Sequence, residues 1–168
     1  GPVTGLARID STRFASASED HTCIICSHEG DLIKRIAYHS GPLQGVSPIS
    51  NPFDATLPMF MTYARDGRTR PALALWSSDG SLVCEISHIH GGCACVIDLL
   101  NGLEPLIAIA SRKGNATVTM LKKVYMASPS GVALEQYGES IEILHDRKAC
   151  LTSLIEVPPP CDNGGTQV

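Results

Sequence analysis

Gly1-Pro2-Val3-Thr4-Gly5-Leu6 returns forty residues later as Gly41-Pro42-Leu43-Gln44-Gly45-Val46. Working outward from that pair, Ser27-His28-Glu29-Gly30-Asp31-Leu32-Ile33 returns as Ser77-Ser78-Asp79-Gly80-Ser81-Leu82-Val83. A fainter third copy reads Ser128-Pro129-Ser130-Gly131-Val132-Ala133-Leu134. His39, His90 and His145 close three units at intervals of 51 and 55 residues. Self-similarity at this period, with several short apolar runs per unit, marks an array of stacked sheets rather than one closed domain.

Each unit reads as four short strands separated by turn chemistry. The first gives Val3–Ile9, Arg13–Ser18, Thr22–Cys26 and Asp31–Ile36, with Asp10-Ser11, Glu19-Asp20 and Glu29-Gly30 between them. The second gives Leu43–Pro48, Met59–Ala64, Ala72–Trp76 and Ser81–Ile86, with an enlarged loop from Ser50 to Pro58. The third gives Cys93–Leu99, Leu106–Ala110, Thr117–Leu121 and Val132–Tyr137, and Gly138–Glu142 reads as an added bend. Ala149–Val157 reads as the first strand of a fourth unit, and Pro158-Pro159-Pro160 stops it ahead of a polar, Gly-rich tail. Helical periodicity is nearly absent, and Val124–Met126 is too short to count. The expected fold is all-β: a β-propeller-like array of four-stranded antiparallel blades forming an incomplete ring. The expected units are residues 1–39, 40–90 and 91–145, a fourth beginning at 146–157, and a disordered tail at 158–168. Rings typically need about four to eight blades. The remaining blades are therefore expected from the same or another chain.

Composition narrows the function classes. A net charge of −4 with 18% charged residues argues against a bulk nucleic-acid or membrane-surface binder. The longest apolar stretch, Cys93 to Ala110, is broken by Asp98, Asn101 and Glu104, so no membrane span is expected. Seven cysteines without an even spacing point to reduced thiols, and hence to a cytoplasmic or nuclear compartment. The first residue is Gly rather than Met, and no basic-then-apolar leader opens the chain, so an excerpt or processed product is expected.

Within the units, Ser16-Ala17-Ser18-Glu19-Asp20 is followed six residues after Asp20 by Cys26. Thr62 and Asp66 repeat the Ser16-to-Asp20 spacing. Trp76 stands ten residues past Asp66, with Arg68-Thr69-Arg70-Pro71 read as inserted. His39 precedes Leu43 by four and Val46 by seven, and in the third unit Ser111, Asn115 and Leu121 hold the three later places. On these residues the chain resembles the WD-repeat β-propellers over positions 1 to about 157. The resemblance implies a protein-interaction scaffold without chemistry of its own. It also implies a hydrogen-bonded tetrad in the second unit: His39, Thr62, Asp66 and Trp76.

Three other constellations compete for attention. Cys23-Ile24-Ile25-Cys26 is a C-x-x-C, and His88, His90, Cys93 and Cys95 lie within eight residues, so a zinc-stabilised β module is an alternative. Against the first of these, residues three apart in a strand face opposite ways. Arg65, Arg68, Arg70, Arg112 and Lys113 follow the second strands of adjacent units and would share one rim, a candidate site for an acidic or phosphorylated segment. No nucleophile elbow, carboxylate pair or phosphate loop emerges, so no enzyme activity and no cofactor are expected. Nucleic acid is disfavoured, because no aromatic side chains interleave the basic ones.

Overall fold

A computed structural model of the protein describes residues 1–51, 54, 56–66, 68–87, 89, 92–99, 106–111, 117–125, 132–136 and 141–142. The first sheet contains β1 (Val3–Arg8), β2 (Arg13–Ser18), β3 (Thr22–Ser27) and β4 (Leu32–Ala37), paired antiparallel in that order. The second repeats the plan with β5 (Leu43–Ile49), β6 (Met59–Ala64), β7 (Leu73–Ser77) and β8 (Leu82–Ile86). The third holds β9 (Cys93–Leu99), β10 (Leu106–Ser111), β11 (Thr117–Tyr125) and β12 (Val132–Gln136). A short β13 (Ile141–Glu142) also pairs with β11, at Val118 and Thr117. Residues 141–142 therefore prolong the outer edge of the third sheet instead of forming the expected bend. The expected fourth-unit strand and the tail lie outside the described residues.

The repeat is visible in the hydrogen-bond register as well as in the letters. The innermost strand of every sheet carries a bulge one residue in: between Val3 and Gly5, between Leu43 and Gly45, and opposite Ala110 and Ser111 in β9. The outer hairpins of the first two sheets share a second irregularity, at Ile25/Cys26 and at Leu75/Trp76. They also share one turn. The Gly30 and Gly80 N–H groups donate to the Ser27 and Ser77 carbonyls at 3.1 and 2.8 Å, with φ of 96° and 77°. Glycine is needed at both places because side-chain-bearing residues rarely adopt that region.

The sheets stack with their innermost strands β1, β5 and β9 side by side. Between the first and second sheets lies a core of Ala15, Ala17, Cys23 and Ile25 on one side and Val46, Phe60, Ala74 and Trp76 on the other. Small side chains on the first sheet let the bulky face of the second approach. Between the second and third, Met61, Tyr63, Leu73 and Leu75 meet Val96, Ile107, Ile109 and Leu121. Each fully buried Leu, Ile or Phe here contributes about 1.5–3 kcal/mol. Ala94, Ala108, Ala110 and Val118 form a third buried cluster, and strand alternation puts Ala108 and Ala110 on the side of β10 away from Ile107 and Ile109. Close approach also fixes Gly45, where a Cβ would stand 2.4 Å from the Tyr63 hydroxyl.

Candidate functional site

The second sheet buries a polar relay. The Trp76 indole Nε1–H donates to Thr62 Oγ1 at 2.8 Å, and Thr62 Oγ1 lies 2.7 Å from His39 Nε2. His39 Nδ1 lies 2.8 Å from the Pro71 carbonyl oxygen. A carbonyl only accepts, so Nδ1 carries the proton, Nε2 is the acceptor and the Thr62 hydroxyl donates to it. All three side chains are buried. Burial pushes the His39 pKa below its ordinary 6.5, and the Pro71 carbonyl and the Glu85 carboxylate oppose that shift. The Tyr38 ring meets Trp76 edge-on at 5.3 Å and its hydroxyl donates to Glu85 Oε2 at 2.5 Å, which closes the outer side of the relay.

The structure thus brings His39, Thr62 and Trp76 together but holds Asp66 apart. Asp66 is exposed, and its Oδ1 accepts the Arg68 N–H at 3.1 Å within its own turn. The longer loop is the reason. In the first sheet the turn closes at once, with the Asp20 carboxylate taking the Thr22 N–H and hydroxyl at 3.1 and 2.6 Å. In the second sheet the chain runs on through Arg68–Pro71 and folds back on the histidine loop. Ser40 N donates to the Arg70 carbonyl at 2.9 Å, and Arg70 N donates to Ser40 Oγ at 2.9 Å. That return delivers the Pro71 carbonyl to the place the aspartate was expected to fill. The third-unit alignment also shifts by two residues. Ile109, not Ser111, occupies the register of Thr62, because Val46 pairs with Thr62 and Val96 with Ile109. Leu121, paired with Ile107, does take the place of Trp76, paired with Phe60.

On the rim, Arg65 Nη1 lies 2.6 Å from Glu19 Oε1 of the first sheet, so this cation is engaged across the sheet boundary. Arg68 and Arg70, in the loop that follows, are exposed. Arg112 and Lys113 lie outside the described residues, as do Asn115 and the zinc candidates His88 and His90. Of the cysteine candidates, Cys93 sits in the core between the second and third sheets, with its thiol donating to the Cys95 carbonyl at 3.5 Å, and Cys95 packs against the Ala108/Ala110 cluster. Burial raises the Cys93 thiol well above its ordinary range and takes Cys23 up to about 12. Cys23 pairs with Ala17 and Cys26 with Phe14, so the C-x-x-C thiols point to opposite faces and both are free. Among the described residues no three His, Cys, Asp or Glu side chains converge as a metal site would require.

A second polar cluster was missed in the sequence. Lys123 is 1% exposed, and its ammonium donates to Ser50 O and Oγ at 3.1 and 3.0 Å and to Asp98 Oδ1. Asp98 Oδ2 accepts both the Ser50 N–H and the Ser50 hydroxyl at 2.6 Å. The cluster joins the end of β5 to β9 and β11, and so ties the second sheet to the third. A signal for it existed: Leu121 and Lys123 share one face of β11, which places a cation among buried residues.

No family model and no curated protein matches this chain. Among solved structures, a chain from "Crystal Structure of Mitotic Checkpoint Complex" superposes with a TM-score of 0.64 at 17% identity, over 88% of this chain. The match spans 41% of that chain, so the present sequence covers less than half its length. At that identity the likeness establishes architecture alone: the three sheets are blades of a β-propeller-like array that, among the described residues, does not close a ring.

Proposed function

We propose that this chain is part of a WD-repeat-type β-propeller and serves as a non-catalytic protein-interaction scaffold in the cytoplasm or nucleus. The observation that carries the reading is the Trp76–Thr62–His39 relay, in which a loop histidine of one unit is tied to the strands of the next. Polar groups so used hold blades in place and leave the loops free to meet partners. The structural neighbour comes from a multi-protein complex, which accords with protein partners for this fold. Free thiols at Cys23, Cys26, Cys84, Cys93 and Cys95 accord with a reducing compartment.

A second reading deepens the first. Arg68 and Arg70, exposed in the loop that follows the Arg65–Glu19 pair, suit an acidic or phosphorylated segment. The test is co-purification from cells with the 168-residue chain and with an Arg68→Glu/Arg70→Glu variant. A stoichiometric protein retained by both supports the scaffold, and its loss from the variant assigns the rim. Failure of any protein to co-purify with either would count against the scaffold itself.

A further inference from the structure

The second blade departs from the first at the end away from the relay. Strands β1 and β2 are joined by residues 9–12, whereas β5 and β6 are joined by residues 50–58. The longer loop is braced by its own groups. Asp54 N donates to Asn51 Oδ1 at 3.2 Å, and Asp54 Oδ1 accepts the Thr56 N–H and hydroxyl at 2.9 and 2.6 Å. Leu57 N donates to the Asp54 carbonyl at 3.1 Å. The loop so built holds the Leu57 side chain out at 57% exposure. Across from it, the β7–β8 turn leads into Leu82, which is 40% exposed. Between them lies a cleft of about 640 Å³, walled by Leu57, Pro58, Met59, Leu82 and Val83. The corresponding corner of the first blade is charged instead. Arg13 pairs with Ser27 as Met59 pairs with Ser77, and the Arg13 guanidinium lies 2.6 Å from Asp10 Oδ2.

The margin of the cleft is acidic. Asp79 borders it, and its carboxylate accepts the Ser77 hydroxyl and, at 3.0 Å each, the Ser81 N–H and hydroxyl. Those bonds draw the Asp79 pKa down to about 2. The Thr56 hydroxyl and N–H likewise lower Asp54 in the long loop. Both carboxylates are therefore anionic at neutral pH. Lys34 reaches the same turn from the first blade and offsets one charge, but its ammonium is spent on the Asp79 and Gly80 carbonyls at 3.3 and 2.9 Å.

We propose that this cleft docks a segment of a partner protein that inserts a pair of large apolar side chains and carries Lys or Arg beside them. Burial of the apolar pair between Leu57 and Leu82 supplies affinity, and the two carboxylates select a basic flank over an acidic one. The volume lies in the range of sites that take ligands. The cleft is at the opposite end of the second sheet from Arg68 and Arg70: β6 and β7 meet it at Met59 and Ser77 and reach the rim loop at Ala64 and Leu73. The proposal rests on the scaffold reading and adds a second surface to it. It fails or stands separately from the rim, because the two sets of variants do not overlap.

The probe is a library of random nonapeptides displayed on phage, selected on the 168-residue chain and depleted on a Leu57→Asp/Leu82→Asp variant. Both leucines are exposed, so the variant is expected to keep the native melting temperature. Recovered peptides are expected to share two adjacent large apolar residues flanked by Lys or Arg. A synthetic copy should bind the native chain saturably and lose at least about tenfold in affinity against Leu57→Asp alone. Its binding should also weaken as salt is raised. Recovery of no peptide, of peptides lacking the basic flank, or of peptides that bind the double variant equally well overturns the proposal. A fall in the double variant's melting temperature of the kind a core substitution causes would show that the leucines belong to the fold, and overturns it too. Light scattering that shows self-association abolished by Leu57→Asp would give the cleft to a second copy, with the same consequence.

Discussion

Thr62 is the residue on which the relay turns, since its single hydroxyl accepts from Trp76 and donates to His39. Thr62→Val keeps the volume and strands a buried indole N–H and a buried imidazole nitrogen together. A loss of about 1–3 kcal/mol in urea unfolding is expected; a change below a few tenths would mean that the relay is incidental. His39 adds a pH dependence whose sign is fixed by its environment. Burial depresses its pKa below 6.5, so the unfolded chain binds the proton more readily than the native one. The contribution of this group is therefore complete above pH 6.5 and is lost as the pH falls through that value towards the lowered native one, with a slope of at most about 1.4 kcal/mol per pH unit. His39→Gln should be less stable at neutral pH yet flatter than the native chain between about pH 6.5 and 5, above the range where most carboxylates titrate. Parallel profiles for the two proteins would refute the assignment. The spacing of His39, Thr62 and Trp76 is legible in the letters because each sits at a fixed strand or loop position. The fourth place is not legible, because a backbone carbonyl from Pro71 has no side-chain signature and its arrival depends on how an inserted loop folds back.

At the scale of the elements, alternation along the strands made the sheets readable. Phe14-Ala15-Ser16-Ala17-Ser18 announces a two-sided strand, and β2 ends where the small polar residues give way to the Glu19-Asp20 turn. Bulges are not announced in this way, since Thr4, Gln44 and Ala94 have nothing in common as residue types. They are recognised only through their shared register, and the same blindness moved the third-unit alignment from Ile109 to Ser111. Loss of both the Thr and the Trp equivalents leaves the third blade without the relay, and Lys123, Asp98 and Ser50 supply a different tie to its neighbour. Lys123→Met removes one charge and leaves the Asp98 carboxylate buried and uncompensated, for which a loss of about 3–5 kcal/mol is expected. Adding Asp98→Leu should recover a substantial part of it, since a buried ion pair replaced by packed apolar groups is often neutral. Equal stability of the single and double variants, measured by denaturant midpoint at constant slope, would show that the pair is not coupled.

Across the whole molecule, the two inter-blade cores both pass through the second blade. β6 sends Phe60 towards the first sheet and Met61 and Tyr63 towards the third, and every residue of the strand is buried. Among the described residues the first blade is covered on one side only, with Leu6, Val3 and Leu32 exposed on the other. In such an array stability is close to a sum of blade terms and nearest-neighbour interface terms, so the blade with two interfaces opens last. Amide exchange followed by mass spectrometry should accordingly find β6 and β7 the slowest elements, with β2 and β3 exchanging earlier although all four are central strands, paired on both sides within their sheets. Phe60→Ala, which removes a side chain buried at 0% exposure, should cost about 3–5 kcal/mol and accelerate exchange in both the first and second blades, because it weakens the interface they share. Ile36→Ala, on the outer strand of the first blade, should accelerate exchange in that blade while β6 keeps its protection. Uniform exchange across all the strands, or equal acceleration everywhere from Ile36→Ala, would instead describe one indivisible cooperative unit. The stacked blades would then owe their stability to a common core rather than to the two separate faces of β6.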